Sequence, residues 1–170
     1  WISTSEKTEL PPLVIDADGL NLLAAIDRWW EKLPDNTIIT PHPGEMARLA
    51  NIETSDVQSN RLNLAREKAQ EWNVIWVLKG AHTLIASPDG KVAILPFKND
   101  ALATAGTGDI LAGLIVGLLA QGMKPTDAAI AGAYVHGLAG EHAAQTKSSR
   151  SVIAGDVLAS IGTAFAEVEG

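Results

Sequence analysis

The stretch Val74-Ile75-Trp76-Val77-Leu78-Lys79-Gly80 decides the fold. Five apolar residues run without alternation and stop at a lysine and a glycine. Such a run predicts a strand covered on both faces, the habit of a parallel sheet. Towards the N-terminus, Thr37-Ile38-Ile39-Thr40 and Leu13-Val14-Ile15 repeat the pattern. The segments between them have helical spacing: about 20–33, carrying Leu22, Leu23, Ile26 and Trp30 and stopped by Pro34-Asp35-Asn36; then 45–50; then a longer one from Thr54 or Ser55 to Trp72. In the other direction, 83–86 and 92–95 flank Ser87-Pro88-Asp89-Gly90, a hairpin turn. A small-residue loop over 103–108 leads into helices at 110–121, about 126–144 and about 155–168. Strands alternating with helices predict an α/β layered domain with a mostly parallel sheet. No repeat or linker divides it, so one domain over 1–170 is expected.

Composition narrows the function. The 170 residues hold 13 Lys+Arg against 20 Asp+Glu, a net charge of −7, and no cysteine. A cysteine nucleophile, a disulfide framework and a thiolate-held metal are excluded. The negative charge gives no general attraction to nucleic acid or anionic lipid, although a small phosphorylated ligand still fits a local basic pocket. The longest apolar stretch, 110–120, is about half of the roughly twenty residues that a membrane helix needs. With no charged leader at its start, the chain is expected in the cytoplasm. Its start at Trp1 rather than Met, almost directly before a strand, suggests a portion of a longer protein.

Ligands of open α/β sheets collect beyond the carboxyl ends of the strands. Polar clusters fall just there: Asp16-Ala17-Asp18-Gly19-Leu20-Asn21, then Thr40-Pro41-His42-Pro43-Gly44-Glu45, then Lys79-Gly80-Ala81-His82-Thr83. A fourth, Thr104-Ala105-Gly106-Thr107-Gly108-Asp109, opens the next helix. Small residues there let backbone amides approach a phosphate at a helix N-terminus. It is not a Walker A loop, because no Lys-Ser/Thr follows the last glycine. Asp109 reads either as an N-cap or as a group that handles a proton.

Taken together, Thr40-Pro-His-Pro-Gly-Glu45, Lys79-Gly80, Asp16-Ala-Asp-Gly-Leu-Asn21 and Ala103-Thr-Ala-Gly-Thr-Gly-Asp-Ile-Leu-Ala-Gly113 resemble the bacterial ADP-dependent NAD(P)H-hydrate dehydratase family. The resemblance implies a three-layer ribokinase-like fold with a mostly parallel sheet, the N-terminal part of which is absent from this chain. It implies dehydration of the S-epimer of hydrated NADH or NADPH, with ADP cleaved to AMP and phosphate. It assigns Asp109 as catalytic base and substrate contact, and His42 as a second substrate contact. Lys79, Gly80, Ala81, His82, Thr83, Gly106, Thr107 and Gly108 become nucleotide-binding residues. Asp16, Asp18, Asn21 and Glu45 become an outer shell for magnesium or phosphate, with no direct metal ligand. Magnesium, ADP as co-substrate, a homo-oligomer and a fused or associated epimerase domain complete the expectation. Ala105 stands where the family usually has glycine, which requires φ < 0 at that position.

Blander readings compete. His136 and His142 read as packing or surface residues, His82 as a loop tip, Glu45 equally as a helix cap. Trp29, Trp30, Trp72 and Trp76 read as core or interface rather than a base-stacking platform. The alternatives to the dehydratase are a ribokinase-like kinase that phosphorylates an alcohol and a catalytically silent nucleotide-binding fragment.

Overall fold

A computed structural model describes residues 10–170. Their contacts divide the chain into two compact units: one runs up to Lys79 and takes in Leu84–Ala93, and the other comprises Gly80–Thr83 and Ile94–Gly170.

The first unit is built on the sheet. Strands β1 (Val14–Ile15), β2 (Ile38–Ile39), β3 (Ile75–Leu78), β4 (Leu84–Ala86) and β5 (Val92–Ile94) lie in the order β1-β2-β3-β4-β5, and the last residue of β5 opens the second unit. β1–β2 and β2–β3 are parallel, with Val14 opposite Ile38 and Ile38 opposite Ile75; β3–β4 is antiparallel, with Trp76 opposite Ala86. Every residue of β2 and β3 is buried, as unbroken apolar runs demand. The hairpin turn forms where expected: Gly90 N donates to Ser87 O and Ser87 N to Lys91 O.

Helices α1 (Asp18–Ala24), α2 (Pro43–Ala50), α3 (Thr54–Ser59) and α4 (Arg61–Trp72) link the strands, and two of the expected helices are broken. Over 20–33 the chain leaves the helix after Ala24, and Arg28 turns left-handed (φ 49°) before a 3-10 turn at Trp29–Lys32. Leu20 and Trp29 are both buried, yet nine residues of continuous helix would set them about 180° apart. The break lets both reach the core. Trp29 meets Trp72 edge-on at 4.8 Å, and Trp72 stacks on Trp76 at 5.1 Å, so the tryptophans are core and not a platform for bases. The helix expected from 54 to 72 breaks at Asn60 (φ −135°), whose Oδ1 accepts from Asn63 Nδ2 at 2.9 Å.

The second unit is helical: a 3-10 turn at Asp100–Ala103, then α5 (Thr107–Ala120), α6 (Pro125–Thr146) and α7 (Ala154–Glu169). Small residues on α6 are there for close approach. A Cβ built on Gly137 would lie 2.1 Å from Phe97 Cδ2, and one on Gly140 would lie 2.6 Å from Leu102. His136 is buried in α6, and His142 Nε2 meets Glu167 of α7 at 2.9 Å, so both act in packing. Among the described residues no helix is long and apolar enough to cross a membrane.

Candidate functional site

In the first unit, parallel pairing brings the ends of β1, β2 and β3 level, and three sequence clusters meet there. Lys79, just past β3, sends its ammonium to Asp16 Oδ1 at 2.7 Å, just past β1. The same ammonium lies 3.8 Å from Glu45 Oε2. One cation thus stands between two carboxylates whose side chains are only 12% and 6% exposed. Lys79 is committed to carboxylates in this arrangement, rather than standing alone as a point charge for phosphate.

Glu45 also receives the backbone N–H of His42 on Oε2 at 2.7 Å. His42 returns the bond: its Nδ1 accepts from Gly44 N at 3.0 Å and from Glu45 N at 3.2 Å. This reciprocal pair caps α2, with Pro43 at its first position. Both readings of Glu45 therefore hold locally: it caps the helix, and it faces the polar cluster.

Ahead of α1, Asp16 O accepts from Gly19 N and Ala17 O from Leu20 N, each at 3.0 Å. Between them Ala17 sits at φ 49°, ψ −119°, a conformation that suits glycine. Asp18 is exposed in the first turn of α1. Asn21 faces α2, where its Oδ1 accepts from Arg48 at 2.9 Å. Arg61, which sequence reasoning passed over, donates to Leu78 O at 3.1 Å and Lys79 O at 3.3 Å. Partial burial holds its guanidinium below the ordinary arginine range. The one signal for it was its place after Ser59-Asn60, two poor helix formers that mark a helix start.

In the second unit, Gly80–Thr83 is a tight loop. Gly80 has φ 134°, Thr83 Oγ1 donates to Gly80 O at 3.1 Å, and His82, left-handed at φ 53°, donates its backbone N–H to Phe97 O at 2.8 Å. The His82 ring lies against Leu95 O, with Nδ1 at 3.2 Å, and Ala81 is exposed.

The Thr104–Asp109 loop is fastened from below. Thr104 Oγ1 donates to Val152 O at 3.1 Å, and Thr107 Oγ1 lies 2.7 Å from Leu102 O and 2.8 Å from Thr104 O. Gly106 takes the left-handed position (φ 86°), and Ala105 is absent from the positive-φ residues, so the alanine fits. The helix starts at Thr107, earlier than the 110 read from apolar periodicity. Its first helical rung runs from Ile110 N to Gly106 O, and no side chain caps its start. The amides of Gly108 and Asp109 in that first turn are therefore oriented to meet an anion. Asp109 is exposed and borders a cavity of about 450 Å³ lined by apolar residues of α5 and α7 such as Leu114 and Phe165. A carboxylate beside a helix start is chemically able to take a proton from a hydroxyl held next to a bound anion.

Comparison with known proteins bears directly on these segments. A family model described as NAD(P)H-hydrate dehydratase matches residues 2–162. The chain is 49% identical over 147 residues to a bifunctional NAD(P)H-hydrate repair enzyme of Moorella thermoacetica, covering 86% of this chain and 28% of that protein. Among solved structures, an ADP/ATP-dependent NAD(P)H-hydrate dehydratase from Bacillus subtilis, co-crystallised with ATP/Mg2+, is similar with a TM-score of 0.83 and 33% identity, covering 92% of this chain and 55% of that one. A ribokinase-like superfamily protein from Enterococcus faecalis is similar with a TM-score of 0.70 and 31% identity, covering 90% and 52%. The chain thus spans about half or less of the length of these proteins.

Proposed function

The chain belongs to the NAD(P)H-hydrate dehydratase family and has a ribokinase-like fold; from that premise we propose that it serves ADP-dependent dehydration of the S-epimer of hydrated NADH or NADPH. The family match supports this most strongly, because it runs across all four polar segments. We read both compact units as parts of one domain. The cellular setting that goes with the reading is cytoplasmic, in a homo-oligomer, with a fused or associated epimerase domain.

The chemistry follows from leaving-group ability. Hydroxide departs poorly from carbon near neutral pH, whereas phosphate departs readily. Asp109 takes the proton of the substrate hydroxyl as its oxygen attacks the β-phosphorus of ADP, and the bond to AMP breaks. The Gly106–Gly108 backbone stabilises the charge gathering on the transferring phosphoryl. The phosphate then leaves carbon as the neighbouring carbon loses a proton, which restores the dihydronicotinamide double bond. The products are NADH or NADPH, AMP and phosphate, so the water removed is balanced by the water that ADP cleavage consumes.

His42 contacts the hydrated dinucleotide, and Lys79-Gly80-Ala81-His82-Thr83 with Gly108 contacts the nucleotide. Lys79 meets a phosphate by exchanging one of its carboxylate partners. Among the described residues no group of three or more His, Asp or Glu is arranged to hold a metal. We read magnesium as an ion that would be carried on the nucleotide phosphates, its usual mode. Asp16, Asp18, Asn21 and Glu45 would stand around it or the phosphates as an outer shell.

The direct test supplies hydrated NADH, ADP and magnesium to the complete protein and follows recovery of dihydronicotinamide absorbance. Absence of recovery with ADP and with ATP overturns the reading. Asp109→Asn should lower turnover by about 10²–10⁴-fold, the worth of a positioned base, while ADP binding survives.

A further inference from the structure

The turn between β2 and α2 carries an unusual restraint on one imidazole. His42 Nδ1 accepts two backbone amides, those of Gly44 and Glu45. A ring nitrogen that accepts cannot carry hydrogen, which leaves Nε2 as the protonated one. The ring is also seated on bare backbone: a Cβ at Gly44 would lie 2.9 Å from His42 Cε1 and 3.2 Å from Nδ1. Gly44 has no positive φ and lies inside α2, so no backbone conformation calls for a glycine. What calls for it is the ring. Glu45 completes the restraint by holding the His42 N–H at 2.7 Å, and Lys79, itself paired with Asp16, lies 3.8 Å from that carboxylate. Nε2 lies 3.5 Å from Glu45 Oε1, a long contact, and the His42 side chain stays half exposed, so a ligand oxygen can take the Nε2 hydrogen at closer range.

We propose that Gly44 and Glu45 are positioning residues that fix His42 as its Nε2–H tautomer, so that the ring presents a hydrogen-bond donor, and no acceptor, to an oxygen of the substrate. This rests on the reading of His42 as a substrate contact. It gives that contact a chemical sense: the ligand atom facing His42 is an acceptor such as a carboxamide, hydroxyl or phosphate oxygen. The ring acts as a donor for orientation rather than as a second base beside Asp109.

The experiment is nitrogen NMR of the complete protein labelled at histidine, with His42→Gln identifying the resonance, alongside steady-state kinetics. The wild-type ring should show an unprotonated Nδ1. Gly44→Ala should displace the ring as well as mix its tautomers, and raise KM for the hydrated dinucleotide from about twofold for mixing alone to about tenfold where the oriented hydrogen bond is lost. Turnover should stay within about twofold, as for lost binding rather than lost chemistry. Helix propensity alone would make that alanine stabilising, so a purely structural role for Gly44 predicts an unchanged KM. Glu45→Gln, which keeps an acceptor for the His42 N–H, should preserve the tautomer, whereas Glu45→Ala should release it. A wild-type ring protonated at Nδ1 overturns the proposal without any variant. So does Gly44→Ala with tautomer and KM both unaltered while His42→Gln raises KM. If His42→Gln leaves KM unchanged although the tautomer is fixed, the substrate contact itself fails and the proposal falls with it.

Discussion

Replacing Lys79 with methionine removes the cation from between two carboxylates and keeps most of its packing volume. With the ammonium 2.7 Å from Asp16 and 3.8 Å from Glu45, the gross attractions are about 6 and about 4 kcal/mol at an effective dielectric near 20. Much of that is cancelled by the desolvation of three charged groups. The surviving quantity is the cost of leaving carboxylates without their cation, about 3–5 kcal/mol for fully buried pairs. Lys79 is still 21% exposed. That partial solvation brings the expected loss for Lys79→Met to about 2–4 kcal/mol. Urea unfolding of wild type, Lys79→Met, Asp16→Asn and the double variant forms a cycle. The second substitution should recover part of the loss, giving a coupling above about 1 kcal/mol. A loss below about 0.5 kcal/mol for Lys79→Met, or a coupling within error of zero, would refute the ionic account of this strand end.

Two further outcomes follow from local geometry. Ala17, held at φ 49° and ψ −119°, carries backbone strain that glycine escapes. Relief of about 1–3 kcal/mol, less roughly 0.5–1 kcal/mol for the extra freedom of the unfolded glycine, makes Ala17→Gly stabilising; a lowered urea midpoint would contradict this. In the hairpin, the Lys91 ammonium first, then the Ser87 hydroxyl and the Lys91 amide, pull the Asp89 carboxyl from 3.8 to about 2. A depressed pKa means that its contribution is present above the unfolded value of 3.8 and fades as pH falls towards about 2. Asp89→Asn should therefore flatten the stability curve in that acid window and leave its shape at neutral pH unchanged, as followed by thermal melts across pH; because the group is exposed, the change will be small.

The sheet was legible because its strands announce themselves twice, by unbroken apolar runs and by polar residues at their carboxyl ends. Periodicity misled where it met segments that turn. Leu22 and Ile26 suggested one helical face over 20–33, yet Leu22 is 71% exposed and Ile26 is exposed too. The face that matters is set by Trp29, which can be buried only because the chain breaks at Arg28, and no local spacing encodes the Trp72–Trp76 stack that receives it. The start of α5 was misjudged for the opposite reason. Thr107-Gly108-Asp109 looks like loop by composition, but Thr107 spends its hydroxyl on Leu102 and Thr104 carbonyls and so anchors the first turn.

The candidate site was legible as residue types and not as partnerships, and the difference has chemical content. The family resemblance assigns Lys79 to the nucleotide; geometry pairs it with Asp16 and Glu45, and Glu45 in turn with the His42 backbone. A charge at the end of β3 is thereby linked through one carboxylate to the imidazole at the end of β2. Were a phosphate to draw Lys79 away from Glu45, the carboxylate would lose its neighbouring cation and accept the His42 N–H more strongly. On the proposed reading, nucleotide binding would therefore be coupled to the orientation of the His42 ring, through three side chains and two parallel strand ends.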